Sequence, residues 1–541
     1  MARASLDGME QAILDLQRAM EADSAEKMAR NWVNREGEKA NPWLTLGNVL
    51  LWRKKFAEAS SALETSLQID PSNARALRRL MDVLSRLDQE TRIDGFLQAG
   101  SDVYFGKRAD EVTFRASGEP STLPTPNLSK QLANAIKWHD YPRAKTIARA
   151  ISAREDADTT TCQRMALLEA SLGRPNSAIA WATKALLRPD AKSSIRDEMK
   201  SLLRHQEMLA AEWGKKTADQ NIEHRKQARA VRPFKKSLPL ILISQVQRSG
   251  GTLLTQLFDG HPEQLTHPYE LKTGYPAKEF WLRIPKEGDP IRIGQWISSP
   301  WIQQSSVFGY TKTTVDSDSI SPFCFANDLF HQLTMDRLEN ADEIDSRFVL
   351  NTYFRAFFSS WLTGDSDHDR ARFFVAFVPR LSSRLSEVEH FFQAYPDGYL
   401  IVIVRDPCAW YASARRHHPS YADLDIALST WLQNAKAMPA LKQKYQQHVI
   451  IIDYQALVMD CEGTMRRLCD AIGLEFSDSL LVPTLGGRPA ETDSSYADST
   501  LAGKVYVSSV DRYKSELSSN EIAQIRDVCW PAYQEALRCR D

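Results

Sequence analysis

Two rhythms of apolar and polar positions divide the chain. Up to about residue 235, apolar residues recur at helical spacing among Ala, Leu, Arg and Glu. Beyond it, short β-branched and aromatic runs alternate with helical stretches. Residues 240–246, 372–378, 399–404 and 448–453 are continuous apolar runs of strand length. Runs without polar alternation belong to strands covered on both faces, which predicts a parallel sheet flanked by helices. Residues 247–252 read as a small-residue loop, and 252–258 as a helix after it. The polar, basic stretch 221–236 predicts a helix end and a linker, and the Pro- and Ser-rich stretch 117–129 predicts a loop. The expected organisation is a helical region over 1–220, a linker over 221–237 and an α/β domain over 238–541.

The helical region repeats itself. Over 41–73, Trp43, Leu46, Gly47, Leu50, Ala59, Leu63 and Pro71 mark a pair of helices. Small Gly47 and Ala59 let the pair approach, Trp43, Leu46 and Leu50 fill the gap, and Pro71 stops the second helix. A second copy carries Ala166, Ala178, Ala182, Ala185 and Pro189, and a degenerate one carries Trp138, Tyr141 and Ala144. The spacing resembles the tetratricopeptide (TPR) repeat. That resemblance implies a stack of helical pairs whose concave face docks a protein partner or an acceptor molecule.

Composition narrows the function. At 541 residues the chain exceeds one core, and 43% hydrophobic with 25% charged residues is ordinary for a globular protein. Lys+Arg 68 against Asp+Glu 69 argues against a general nucleic-acid binder or a polybasic membrane binder. The seven cysteines form no C-x-x-C pair, so neither a zinc module nor a disulfide framework is indicated. The first residues lack the apolar core of a signal peptide, and no apolar run reaches transmembrane length. A cytoplasmic protein without transmembrane segment is expected.

Gln247, Arg248, Ser249, Gly250, Gly251 and Thr252 have the chemistry of a phosphate cradle between a strand end and a helix start. Glycines let backbone amides face an anion, the helix dipole adds to them, Arg248 adds a charged fork, and Ser249 and Thr252 add hydroxyls. A Walker A loop needs Lys before its Ser/Thr, and Gly251 stands there. That, with no evident acidic partner for Mg²⁺, weighs against a P-loop kinase or NTPase.

Q-R-S-G-G-T-L-L followed by L-F-D-G-H-P resembles the 5′-phosphosulfate loop of the sulfotransferase family, usually R-S-G-T-T-L-L with L-D-x-H-P behind it. Gly251 replaces a Thr, which removes one hydroxyl donor and leaves the backbone cradle through Leu253. A strand ending in Arg405, then Asp406, Pro407 and Ser413, resembles the family's 3′-phosphate segment. Tyr454 in Y-x-x-L-V stands where the family often has an aromatic near the base. Arg488 with Ser494, Ser495 and Tyr496 resembles the loop that closes over the nucleotide, with Asp493 for the usual Asn. The resemblance covers about 238–540. It implies a sulfotransferase using 3′-phosphoadenosine 5′-phosphosulfate (PAPS) as co-substrate, without a metal, on an α/β P-loop-type domain behind the TPR-like helices. The acceptor class stays open among saccharide, lipid, peptide and small alcohol.

Sulfuryl transfer needs a base, an aligned acceptor and charge stabilisation on the departing phosphate. Arg248 suits the last task. Glu270 is the expected base, with His267 as its rival. Lys272 and Lys312 read as solvated, and Arg380 as facing the acceptor or holding an ion pair. A TPR scaffold with a degenerate sulfotransferase-like half is the alternative from another class, and Gly251 is its best support.

Overall fold

The computed structural model describes residues 8–19, 21–87, 89, 92, 95–96, 99, 124–137, 139–213, 237–271, 290–297, 300–309, 322–362, 370–417, 421–490, 502–507 and 510–540. Contacts divide the chain into two compact units, Met1–Ser117 with Lys272–Trp296, and Gly118–Leu271 with Ile297–Asp541.

The first unit holds α1 (Gly8–Arg18), α2 (Ala22–Glu36), α3 (Ala40–Trp52), α4 (Phe56–Ile69) and α5 (Ala74–Arg86). Short connections fold successive helices onto one another. At Gly47 a Cβ would lie 2.6 Å from Leu63 Cγ, so glycine is what lets α3 and α4 close together. Leu46, Leu50, Ala59 and Leu63 are buried at this seam. Buried Glu26 accepts hydrogen bonds from Arg30 at 2.8 Å, Arg53 at 2.6 Å and Lys55 at 3.0 Å, which ties α2 to the α3–α4 turn.

The second unit begins with α6 (Thr125–Lys137), α7 (Tyr141–Ser152), α8 (Thr159–Ser171), α9 (Pro175–Leu186) and α10 (Ser193–Trp213). Helix α6 takes residues 125–129, which the sequence pattern assigns to a loop. Pro126 stands in its first turn, where the missing N–H costs nothing, and Leu128 and Leu132 bury the helix. Ala166, Ala178, Ala182 and Ala185 are fully buried in one cluster, as small residues at a close helix seam require. Trp138, residues 117–123 and the expected linker up to 236 lie outside the described residues.

Five parallel strands follow: β1 (Leu240–Gln245), β2 (Gln264–Glu270), β3 (Phe373–Phe377), β4 (Tyr399–Val404) and β5 (Val449–Asp453), in the order β2-β3-β1-β4-β5. Every residue of β1 is buried, as a central strand with both faces covered must be. Strand β2, which carries His267 and Glu270, is not among the four strands that the apolar runs predict. Pro268 donates no ladder hydrogen bond. It is accommodated because β2 is an edge strand whose register shifts between Thr266 and Glu270. After β1 the chain goes to the far edge, returns beside β1 as β3, then crosses to β4. That reversal opens a crevice beyond the C-terminal ends of β1 and β4.

Helices α6–α10 are packed into this unit. They rest on α12 (Pro300–Phe308) and α13 (Asn327–Glu339), which with α14 (Ser346–Ser360) lie between β2 and β3 in sequence, whereas α11 (Gly251–Phe258) follows β1 directly. Asn327 Nδ2 donates to the Ser171 carbonyl at 2.9 Å, Lys145 pairs with buried Asp328, and a Cβ at Gly173 would lie 2.8 Å from Leu362 Cδ1. Among the described residues no helix is long and apolar enough to cross a membrane.

Candidate active site

The turn between β1 and α11 holds two residues in the left-handed region, Arg248 at φ 72° and Gly250 at φ 98°. A non-glycine residue there costs free energy and needs support from its surroundings. The support comes from the end of β4: Arg405 Nη1 donates to the Arg248 carbonyl at 2.6 Å. Trp410 Nε1 donates to the Gln247 carbonyl at 2.7 Å, and the Tyr421 hydroxyl to Gln247 Oε1 at 3.1 Å. Arg248 Nε in turn lies 3.4 Å from Ser413 Oγ. The two motifs, 157 residues apart at Arg248 and Arg405, therefore build one site.

The third motif supplies the floor. Tyr454 opens the short helix after β5, and its ring centroid is 4.4 Å from the Arg405 guanidinium carbon. A Cβ at Gly250 would lie 2.4 Å from the same ring, so both backbone conformation and space require glycine. Ring and guanidinium thus brace the turn from below.

Helix α15 (Pro407–His417) starts at Pro407, and Asp406 Oδ1 caps it by accepting the amides of Cys408 at 2.8 Å and Ala409 at 3.0 Å. Ser413 is mid-helix and buried, facing Arg248. Burial pushes the Cys408 thiol up to about 12, so this cysteine is a protonated core residue at neutral pH.

Within the turn, Ser249 is fully buried and its Oγ has no hydrogen-bond partner among the described residues. Helix geometry leaves the first amides of α11, including those of Thr252 and Leu253, without an intrahelical acceptor. The Gly251 amide is already taken, donating to buried Gln245 Oε1 at 2.6 Å. Helix-start amides, with Arg248 and Ser413 beside them and Arg405 bracing the turn, have the chemistry of an oxyanion cradle.

The expected bases part company. Glu270 ends β2, half-buried, and pairs in register with Phe377 of β3, at the same end of the sheet as the turn. His267 is fully buried among Trp301, Tyr353, Phe354 and Phe357. Its Nδ1 lies 2.8 Å from the Tyr269 carbonyl and its Nε2 3.0 Å from the Tyr353 hydroxyl. Arg380 follows β3 at φ 61°, its amide donating to the Gln245 carbonyl at 2.7 Å. Arg488 is exposed on a small hairpin held at the other end of α11, where Asp259 Oδ2 accepts from Thr484 Oγ1 at 2.7 Å and Gly487 N at 2.8 Å. Ser494, Ser495, Tyr496, Lys272 and Lys312 lie outside the described residues.

The family model described as "Sulfotransferase family" matches residues 239–478. This part of the chain resembles the sulfotransferase family. The sulfotransferase domain of the Synechococcus PCC 7002 olefin synthase is 18% identical, with 55% of this chain and 96% of that chain covered and a TM-score of 0.31. The sulfotransferase STF9 from Mycobacterium avium is 13% identical over 72% of this chain and 97% of that one, at a TM-score of 0.28. A retinol dehydratase in complex with retinol and PAP is 11% identical over 59% and 87%, at 0.27. No curated protein matches the chain. Sequence reasoning missed Gln245, Phe377 and Trp410 around this turn. None stands in a motif, and only strand register and helix packing bring them to the turn.

Proposed function

We propose that residues 238–541 transfer a sulfuryl group from PAPS to a hydroxyl or amine of an acceptor. The observation that carries this reading is the turn after β1, which presents the free amides at the start of α11 beside Arg248 and Ser413 and is braced by Arg405. An oxyanion satisfies such amides and charges, and an apolar ligand does not. The donor, when bound, supplies the sulfuryl group and a phosphate leaving group. Ser249, Thr252 and the amides of Thr252 and Leu253 hold its 5′ side. Arg405 and Ser413 hold the 3′-phosphate, and Arg248 offsets charge on the leaving phosphate. Glu270 takes the acceptor proton, supported by its position at the end of β2. His267 is left out because both ring nitrogens are engaged in the core, and Arg488 because it stands at the far end of α11. Tyr454 braces Arg405 and Gly250, and base contact is not asked of it. The TPR-like helices of the first unit are read as the docking element for a protein partner or the acceptor, since stacked pairs present extended surfaces.

Calorimetric titration of adenosine 3′,5′-bisphosphate into the full chain tests the reading. Wild type is expected to bind in the micromolar range or tighter. Arg405→Ala is expected to lose on the order of 2 kcal/mol, about 30-fold. Because Arg405 also braces the turn, Ser413→Ala serves as the milder variant, with a loss of several-fold. Folded wild type that ignores this nucleotide and binds ATP with Mg²⁺ overturns the reading for a kinase, and silence with both favours a scaffold.

A further inference from the structure

Gly251 stands where the usual sulfotransferase loop has Thr, and the structure gives the reason. Its φ is not in the left-handed region, so the backbone accepts any L-residue there. The obstacle is space. A Cβ on Gly251 would lie 2.4 Å from Phe377 Cε2, 2.8 Å from Phe377 Cζ and 2.9 Å from Gln245 Cδ. Phe377 is buried at the C-terminal end of β3, in register with Ile243 of β1 and Glu270 of β2. Its ring therefore lies between the strand that carries Glu270 and the start of α11. Gln245, the last residue of β1, holds the Gly251 amide from beneath.

We infer that Phe377, Gln245 and Gly251 form an interlocked positioning set, in which ring and carboxamide take the room a Thr side chain needs and fix the start of α11 for anion binding. The inference rests on the nucleotide reading of the turn above. It makes Gly251 a matched part of a working site and removes the ground for treating it as a sign of degeneration. Neither Phe377 nor Gln245 is a catalytic residue in this account. Both act through the position of the turn, and Phe377 also sets the spacing between the turn and β2.

The consequence runs against simple restoration of the usual residue. Gly251→Thr is expected to lower the melting temperature and weaken adenosine 3′,5′-bisphosphate binding about tenfold or more, despite the added hydroxyl. Phe377→Leu lacks the two ring atoms nearest the new Cβ. The double variant Gly251→Thr/Phe377→Leu is therefore expected to melt above Gly251→Thr and to bind within about threefold of Phe377→Leu, the coupling that contacting residues show. Gly251→Ala, which adds only the Cβ, takes the same place in the cycle if Gly251→Thr does not fold. Gln245→Glu keeps the acceptor for the Gly251 amide and adds a negative charge beside the cradle. It is expected to weaken nucleotide binding about tenfold and, because the buried carboxylate is desolvated, to lower the melting temperature as well. A Gly251→Thr protein that melts and binds like wild type overturns the inference, and so does a double variant no better than the single. Wild type that fails to bind the nucleotide overturns the proposed function instead, and the melting temperatures of the cycle still decide the packing of the set.

Discussion

A buried hydroxyl without a partner costs folding free energy, about 1–3 kcal/mol. Ser249 carries one at the centre of the turn. Around the turn, Arg405 Nη1 donates to the Arg248 carbonyl, Gln245 Oε1 accepts from the Gly251 amide, and Trp410 Nε1 donates to the Gln247 carbonyl. Under the proposed reading, anion binding at the turn offsets the cost. Ser249→Ala removes the orphan and breaks no hydrogen bond among the described residues. It should therefore melt at or slightly above the wild-type temperature and bind adenosine 3′,5′-bisphosphate about tenfold more weakly. Melting and calorimetry on one preparation check both halves. A variant that loses stability and affinity together would show that the hydroxyl has a structural task, and unchanged affinity would remove it from the contact set.

At the scale of elements, the ends of β4 and β5 are joined from behind by the C-terminal helix Ser519–Arg538. The Tyr533 hydroxyl lies 3.3 Å from Asp453 Oδ1 and 3.4 Å from Gln455 Oε1, and the Asp406 amide donates to the same Gln455 Oε1 at 3.4 Å. Arg405 and Tyr454, which brace the turn, are the immediate neighbours of Asp406 and Asp453. Tyr533→Phe should cost about 1 kcal/mol of stability and weaken nucleotide binding a few-fold. Denaturant melts with parallel calorimetry test it, and a stability loss with unchanged affinity makes the helix a packing element only. Tyr533 is typical of what the sequence hides. Strands β1, β3, β4 and β5 were legible because their apolar runs are uninterrupted, and Arg248, Arg405 and Ser413 because they stand in motifs. Strand β2 was not, because Q-L-T-H-P-Y-E mixes a proline and polar residues into an edge strand. The burial of His267 depends on Tyr353, 86 residues away. The part played by Phe377 depends on its register with β1 and β2. Distant pairings of this kind leave no local pattern to read.

On the scale of the whole second unit, the question is how α6–α10 are held to the helices beside the sheet. Sequence texture alone puts these helices with the first repeats, because helical spacing looks the same in a free-standing stack and in a stack docked on a sheet. Their docking is polar as well as apolar, and His205 is at its centre. Fully buried in α10, its Nδ1 lies 3.1 Å from the Val307 carbonyl and its Nε2 accepts the Phe323 amide at 3.1 Å. That pairing needs the neutral ring with its proton on Nδ1, since a protonated Nε2 would face the Phe323 N–H. Burial accordingly pulls the His205 pKa down from 6.5 to about 4, only partly opposed by the Val307 carbonyl. A depressed folded-state pKa contributes stability that is full above pH 6.5 and is lost as pH falls through about 4. The loss across that window is on the order of 3 kcal/mol. His205→Gln can still accept from the Phe323 amide and donate to the Val307 carbonyl, and it does not titrate. Wild type should lose melting temperature between pH 6.5 and 4 more steeply than His205→Gln, with the two curves parallel above pH 7. Parallel curves over the whole range would mean that protonated His205 is accommodated, and that its neutral-ring pairing with Val307 and Phe323 is not what holds α10 to the sheet-side helices.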